Sequence, residues 1–118
     1  MYLGDNMAKY TNYLFKLDLL ILSILQHRDM YGYEITKFIT EQSHETIVPK
    51  HGTMYPIIYN LIEEGYISSY TEIHNNKARV YYHLEDKGRV YLKKITEEYD
   101  NLVKCINSIV HGGDYETK

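Results

Sequence analysis

The chain has 118 residues, of which 44% are apolar and 25% are charged, and its formal net charge is −3. This size predicts one domain with a modest core, and the negative charge excludes a uniformly basic nucleic-acid coat while allowing a local basic patch. A single cysteine, Cys105, excludes an internal disulfide. Because we find neither an export signal nor an apolar run of membrane-spanning length, we expect a cytoplasmic protein with no membrane partner.

Three helices are predicted in the first half of the chain. Apolar residues recur at helical spacing over residues 10–27, and a second helix opens at Tyr31 and continues to about Gln42. A third helix begins at Gly52-Thr53 and ends at Gly65. We expect Thr53 to be its N-cap and Pro56 to lie in its first turn, where a proline costs little.

The sequence pattern changes from helix to strand after the third helix. Residues 66–73 and 79–84 are rich in β-branched and aromatic side chains, and the polar residues 74–77 between them are turn-prone. This predicts a β-hairpin whose loop is longer than the tightest type. Asp86 then starts a final long helix.

The order helix, helix, helix, hairpin, helix predicts a mainly α fold with a small β-hairpin. It is the order of a winged helix–turn–helix followed by a long C-terminal helix. We assign residues 10–85 to a winged helix–turn–helix DNA-binding domain and residues 86–111 to a C-terminal dimerisation helix. Residues 1–9 and 112–118 are expected to be flexible termini.

The final helix carries an apolar seam with heptad spacing, while its opposite side is charged. The seam residues are Leu92, Ile95, Tyr99, Leu102, Ile106 and Ile109. Such a seam can fold back on its own domain or pair with a second copy. We favour a homodimer, because one winged helix makes few phosphate contacts and pairing two raises affinity through effective concentration. A two-fold dimer would bind an inverted-repeat operator in double-stranded DNA.

The third helix and the hairpin are predicted to form the DNA-binding surface. Met54, Ile58, Leu61 and Ile62 form the inward stripe of that helix, so Thr53, Tyr55, Pro56, Tyr59 and Asn60 lie on its other face. Thr53 and free backbone N–H groups suit a phosphate, the two tyrosines suit phosphates and thymine methyls, and Asn60 suits adenine. Alternatively, Tyr55 packs in the core and Asn60 is merely solvated. Nearby cations complete the surface: Lys50, His51, Lys77 and Arg79.

Four motifs occur in order along the chain: Tyr31-Gly32-Tyr33-Glu34-Ile35, Gly52-Thr53-Met54-Tyr55-Pro56, residues 61–67, and Tyr81-Tyr82-His83-Leu84 followed by Lys87-Gly88. They resemble the HGYEI, GTLYP, LExxGLI and YYxLTxxG motifs of the PadR family of bacterial transcriptional regulators. The resemblance spans residues 14–109 and implies a repressor whose single C-terminal helix forms a dimer. It also implies that Tyr33 belongs to the DNA-binding set.

The resemblance further implies a planar aromatic small-molecule effector, because similar short members bind flat ligands at the dimer interface. Tyr99 and Tyr13 are the candidate ligand contacts, and the alternative is that Tyr99 is simple packing. Such a ligand would release the DNA by changing the angle between the two wings.

No enzyme, cofactor or metal site is predicted. The six histidines lack the HxxxH spacing of metal ligands, and we find no glycine-rich phosphate loop. Two other functions stay open: a small-molecule sensor, or a protein-interaction module on a winged-helix scaffold with weak DNA binding. The second is favoured by the acidic net charge and by Ala78 and Val80, which stand where the family's wing commonly has basic residues.

Overall fold

The structure, a computed structural model, describes residues 16–112. Its elements in chain order are α1 (Leu17–Leu25), β1 (Met30–Tyr31), α2 (Gly32–Gln42), α3 (His51–Glu63), β2 (Ile67–His74), β3 (Lys77–Leu84) and α4 (Asp86–His111). Helices α2 and α3 form a helix–turn–helix, and β2 and β3 form the wing beside it. The predicted fold, a winged helix–turn–helix with a long C-terminal helix, is confirmed. The expectations for residues 1–9, for Tyr13 and for residues 113–118 concern parts of the chain outside the described range.

The core lies between α1, α3 and the inner face of the sheet. Helix α1 is apolar on nearly all sides and is surrounded by the other elements, so it contributes the largest share of buried side chains. Met54, Ile58 and Leu61 of α3 are buried as predicted, and Ile62 packs at the edge of the same core. The largest fully buried side chains are Leu17, Ile21, Leu22, Leu25, Ile35, Met54, Ile58, Ile67 and Leu84.

The sheet has a third strand that the sequence did not predict. Strand β1 is only two residues long and pairs antiparallel with β3, so that Met30 lies opposite Tyr82 and Tyr31 opposite Tyr81. The strand order is β1-β3-β2. A two-residue strand is too short to show an alternating pattern, which is why only the tertiary structure reveals it.

The hairpin is tighter than the sequence predicted. His74 pairs with Lys77, so the loop consists of Asn75 and Asn76 alone. Both have positive φ, 51° and 66°, as the two-residue type I′ turn requires. The prediction of a longer loop was wrong because asparagine tolerates the left-handed region, which lets both strands continue to the turn.

Helix α3 begins earlier than predicted. Its N-cap is Lys50, which has extended backbone geometry, and the backbone N–H groups of Thr53 and Met54 both donate to the Lys50 carbonyl at 2.9 Å. Thr53 is therefore the third helical residue and not the cap. Pro56 is the sixth, so it lies in the second turn, where its missing N–H cannot bond the carbonyl of Gly52. Both predictions about the start of this helix were wrong.

Candidate nucleic-acid interface

One side of α3 faces solvent along most of the helix. Pro56, Tyr59 and Asn60 are exposed, and Tyr59 retains 60% of its accessible surface. They share a face because helical residues three and four apart are neighbours. His51 is exposed at the start of the helix, and Thr53 is half-buried. The predicted outward residues of α3 therefore lie together on one surface, except for Tyr55.

Tyr55 points toward the start of α2 and joins the edge of the core. Its hydroxyl lies against Gly32, where any added side-chain carbon would collide with it. Its ring is 5.9 Å from that of Tyr59 and 5.6 Å from that of His51, measured between centroids. Tyr55 thus connects the two helices of the helix–turn–helix and supports the exposed ring of Tyr59.

The inner face of the wing meets this same tyrosine pair. Tyr82 of β3 is 5% exposed. Burial, with smaller contributions from the neighbouring Tyr55 and Tyr59, raises the pKa of Tyr82 to about 12. Tyr82 therefore lies near both tyrosine rings of α3.

The outer face of the sheet carries a row of tyrosines that crosses its three strands. Tyr31, Tyr81 and Tyr70 lie opposite one another in the strand register. The Tyr31 ring meets Tyr81 edge-on at 5.4 Å, and Tyr81 stacks on Tyr70 at 5.6 Å. Aromatic pairs across strands stabilise a sheet, so this row stiffens the base of the wing. None of the three was predicted to have this role.

The two predicted cations of the wing differ in their surroundings. Lys77 is exposed beside the turn. Arg79 is half-buried, with its guanidinium 4.6 Å from the centre of the Tyr31 ring on the outer face. This contact holds Arg79 close to Tyr31. Tyr33, in turn, is 59% exposed at the start of α2 and stacks loosely on Tyr31 at 6.3 Å.

Asp29, in the loop before β1, ties that loop to the wing. One carboxylate oxygen accepts a hydrogen bond from the Tyr70 hydroxyl at 2.7 Å, and the other lies 2.8 Å from Nδ1 of His83. Burial raises the pKa of Asp29, but the hydrogen bonds from His83 and Tyr70 outweigh it and hold that pKa below its ordinary value of 3.8. The hydrogen bond from Tyr70 to Asp29 also raises the pKa of Tyr70 to about 12. Tyr70 and His83 lie 41 and 54 residues from Asp29 along the chain, so no local sequence pattern predicts this cluster.

The predicted seam of α4 divides into two parts. Leu92 is 5% exposed and belongs to the core of its own chain, and Ile95 packs against that core. From Tyr99 onward the seam faces solvent, with Tyr99, Leu102 and Ile106 between 41% and 47% exposed. The second half of α4 therefore presents an apolar stripe to solvent.

A groove of about 360 Å³ runs between α1 and α4 next to this stripe. Leu19, Leu20 and Ile47 form its apolar wall, and Thr96 and Tyr99 line it from α4. Tyr99, the predicted ligand contact, therefore lines this open groove. Within residues 16–112, no group of three or more His, Cys, Asp or Glu side chains is placed to hold a metal ion. Over that range there is also no helix with the length and apolar character needed to cross a membrane.

The fold and its exposed α3 define a winged helix–turn–helix protein, and comparison with known proteins identifies its family. Residues 21–94 match the family described as "Transcriptional regulator PadR-like family". The match covers well over half of the chain. The chain belongs to the PadR-like family of transcriptional regulators, and its solved structural neighbours are transcriptional regulators and not enzymes.

Several solved structures share the fold. A transcriptional regulator from Clostridium thermocellum is 37% identical and superposes with a TM-score of 0.78, covering 84% of this chain and 98% of that one. A PadR family transcription regulator from Clostridium difficile is 31% identical, with a TM-score of 0.70 and coverage of 80% and 98%.

Bacillus subtilis PadR was solved in complex with operator DNA. Over 68% of this chain and 46% of PadR the two structures are 31% identical, with a TM-score of 0.63. That protein is named a negative transcriptional regulator, and in sequence it is 33% identical over 70 residues. The chain matches less than half of its length.

Proposed function

We propose that this protein is a homodimer that binds an inverted-repeat operator in double-stranded DNA and represses transcription. The single observation that carries the proposal is the exposed face of α3, on which Pro56, Tyr59 and Asn60 stand clear of the core. The operator complex of Bacillus subtilis PadR supports it, because the matched region includes this part of the fold. A DNA partner also favours a cytoplasmic site of action.

The exposed residues divide into two roles. Tyr59 and Asn60 are suited to base edges in the major groove, where an amide pairs with adenine and an aromatic edge contacts a thymine methyl. Lys50, His51 and Lys77 are suited to phosphates, as is Thr53 in the first turn of α3. Tyr33 and Pro56 border this surface. Arg79 joins the phosphate contacts only if it leaves the Tyr31 ring, and Tyr55 acts by orienting Tyr59.

Dimerisation is assigned to the second half of α4. Tyr99, Leu102, Ile106 and Ile109 follow the heptad spacing, and solvent-facing apolar residues at such spacing favour a helix partner. Residues 10–85 then read the DNA, while residues 86–111 both close the core and join the two subunits.

An effector site in the groove beside Tyr99 is the second proposal. Its apolar wall and single aromatic edge suit a planar aromatic compound. Titration with a panel of such compounds, followed by tyrosine fluorescence, tests it. Replacement of Tyr99 by alanine should abolish the response and leave dimerisation largely intact, because Leu102, Ile106 and Ile109 still form the rest of the seam. An unchanged response in that variant would exclude Tyr99 as a contact.

DNA binding is tested by fluorescence anisotropy with DNA from upstream of the protein's own gene, at several salt concentrations. We expect Tyr59→Ala to weaken binding by about tenfold or more, because it removes a contact to the bases. Lys77→Ala should lower the slope of log affinity against log salt by about one, the effect of losing one phosphate contact.

The matched control is Lys94→Ala, which removes the same charge from the exposed side of α4. It should leave both affinity and salt slope unchanged. Wild-type protein that shows no salt-dependent binding to any DNA would overturn the proposal and favour a protein-interaction module.

A further inference from the structure

The end of α3 is joined to the start of α4 by a compact set of contacts. Gly65 has a φ of +83° and ends α3: its N–H donates to the Ile62 carbonyl at 2.9 Å, and that of Tyr66 donates to Leu61 at 3.0 Å. This is the glycine-terminated Schellman arrangement, so the predicted stop at Gly65 is confirmed. It leaves the carbonyl of Glu64 directed beyond the helix.

That carbonyl is taken up by a side chain of α4. Lys87, the second residue of α4, donates from Nζ to the Glu64 oxygen at 2.7 Å. The same ammonium lies 5.4 Å from the centre of the Tyr66 ring. A cation at a helix C-terminus interacts favourably with the helix dipole as well as with the last carbonyls. Lys87 thus touches both the last turn of α3 and the first residues after it.

Three further contacts hold Tyr66 against the start of α4. The backbone of Gly88 lies so close to the Tyr66 carbonyl that any side chain there would collide with it. The Tyr66 carbonyl also accepts the N–H of Glu85 at 3.0 Å. Finally, the rings of Tyr66 and Tyr91 stack with centroids 4.2 Å apart and planes within 3° of parallel. We call the set Lys87, Gly88, Tyr66 and Tyr91 the α3–α4 joint.

We propose that Lys87 is a positioning residue that fixes the angle between α3 and α4, and through it the spacing of the two half-sites that a dimer accepts. This inference rests on the proposed function. The same helix that carries the joint at its start carries the apolar stripe from Tyr99 onward. The joint therefore lies between the DNA-reading helix and the dimer contact, and any freedom in it would change the separation of the two α3 helices.

Freedom in the α3–α4 joint can be measured with DNA sites that differ in the spacing of their half-sites. One added base pair moves a half-site by about 3.4 Å along the duplex and turns it by about 34–36°, because one helical turn holds 10–10.5 base pairs in about 34–36 Å. A rigid dimer cannot follow that rotation and loses part of the gain from pairing. A dimer with a loosened joint follows it more easily.

The experiment compares wild type with Lys87→Met, which removes the donor but keeps a flexible stem. Each is titrated with palindromic sites whose central spacing differs by one base pair, and with a single half-site. The wild type should lose about tenfold or more of its affinity on the wrong spacing, a part of the avidity gain of about 10²–10⁴. Lys87→Met should lose less than about threefold, with half-site binding unchanged.

Two further variants separate positioning from a general structural effect. Lys87→Arg retains a donor that can reach the Glu64 carbonyl and should restore the discrimination between spacings. Lys94→Met removes an exposed lysine from the same helix and should behave as wild type. If Lys87→Met discriminates spacings as sharply as wild type, Lys87 does not position α3.

A readout without DNA distinguishes failure of this inference from failure of the proposed function. Spin labels at Asn60→Cys on α3 and Lys104→Cys on α4, with Cys105→Ser, report the α3–α4 distance within one chain when diluted with unlabelled protein. Lys87→Met should broaden that distance distribution. Equal widths would overturn the positioning role. A broader distribution with no DNA binding by the wild type would overturn the proposed function and the half-site spacing that rests on it, and would leave the positioning of α3 by Lys87 standing.

Discussion

Gly32 illustrates how one residue without a side chain can determine the geometry of a helix pair. It is the first residue of α2, and the Tyr55 hydroxyl occupies the space where its side chain would be. The close approach lets the ring of Tyr55 cross from α3 to the start of α2. The Tyr59 ring lies beside that of Tyr55, so a side chain at position 32 that displaced Tyr55 would also disturb the exposed surface of α3.

We predict that Gly32→Ala destabilises the protein by about 1–3 kcal/mol, the typical cost of forcing extra volume into a packed site. Tyr55 would have to move, and urea denaturation would show a lower midpoint. Gly52→Ala is the matched control, since Gly52 is also in a first helical turn but has no atom within 4 Å of an added Cβ. That change should be neutral or stabilise by up to about 1 kcal/mol. Equal effects of the two changes would contradict the role of Tyr55.

At the level of single elements, the wing shows how turn chemistry determines strand length. Asn75 and Asn76 both occupy the left-handed region, so the two strands pair over their full eight residues each. Near the turn, Ile73 and Val80 are exposed, so among residues 16–112 the wing tip is held mainly by its backbone ladder and cross-strand pairs. The turn is thus a main determinant of order at the tip.

We expect Asn76→Gly to stabilise the hairpin by about 0.5 kcal/mol, since Asn-Gly is the preferred type I′ pair. Asn76→Val should destabilise it by about 1–2 kcal/mol, because a β-branched residue disfavours a positive φ. Amide hydrogen exchange of the β2 and β3 residues next to the turn provides the measurement. Faster exchange in the glycine variant would show that the turn differs from the one described.

The two halves of helix α4 have different roles. Its first half completes the core through Leu92 and Ile95, and its second half carries the exposed stripe. With 26 residues at about 1.5 Å each, it is about 39 Å long. The next longest helix, α3, has only 13 residues. A single heptad pattern therefore serves both intrachain packing and the proposed dimer contact.

At the scale of the whole molecule, the proposed dimer depends on the exposed half of α4. Ile106→Glu places a charge in the middle of the stripe and should convert the dimer into a monomer at micromolar concentration in sedimentation velocity. DNA affinity should fall with it, because the gain from pairing two units is lost. Ser108→Glu adds the same charge on the opposite side of the helix and should leave the dimer intact. A wild-type monomer at these concentrations would exclude the dimer.

Much of the fold was predictable because its signals are local. The spacing of Met54, Ile58 and Leu61 predicted the inward face of α3, and β-branched and aromatic residues predicted the wing. Turn and cap details were less predictable: the start of α3 depends on the backbone of Lys50, and the loop length depends on φ values that asparagine can adopt but does not signal. Two of the exposed α3 residues, Tyr59 and Asn60, lie where the helical spacing predicted them.

By itself, the sequence determined the order of elements, the apolar faces of α3 and α4, and the family motifs. These signals are local, because hydrophobic periodicity and turn residues act over a few positions. Only the tertiary structure decided that Tyr55 turns toward Gly32, that Arg79 lies over Tyr31, that Leu92 closes the core, and that Lys87 caps α3. Each of these contacts joins residues from different elements. Which partners meet there depends on how the elements pack, and no local pattern encodes that arrangement.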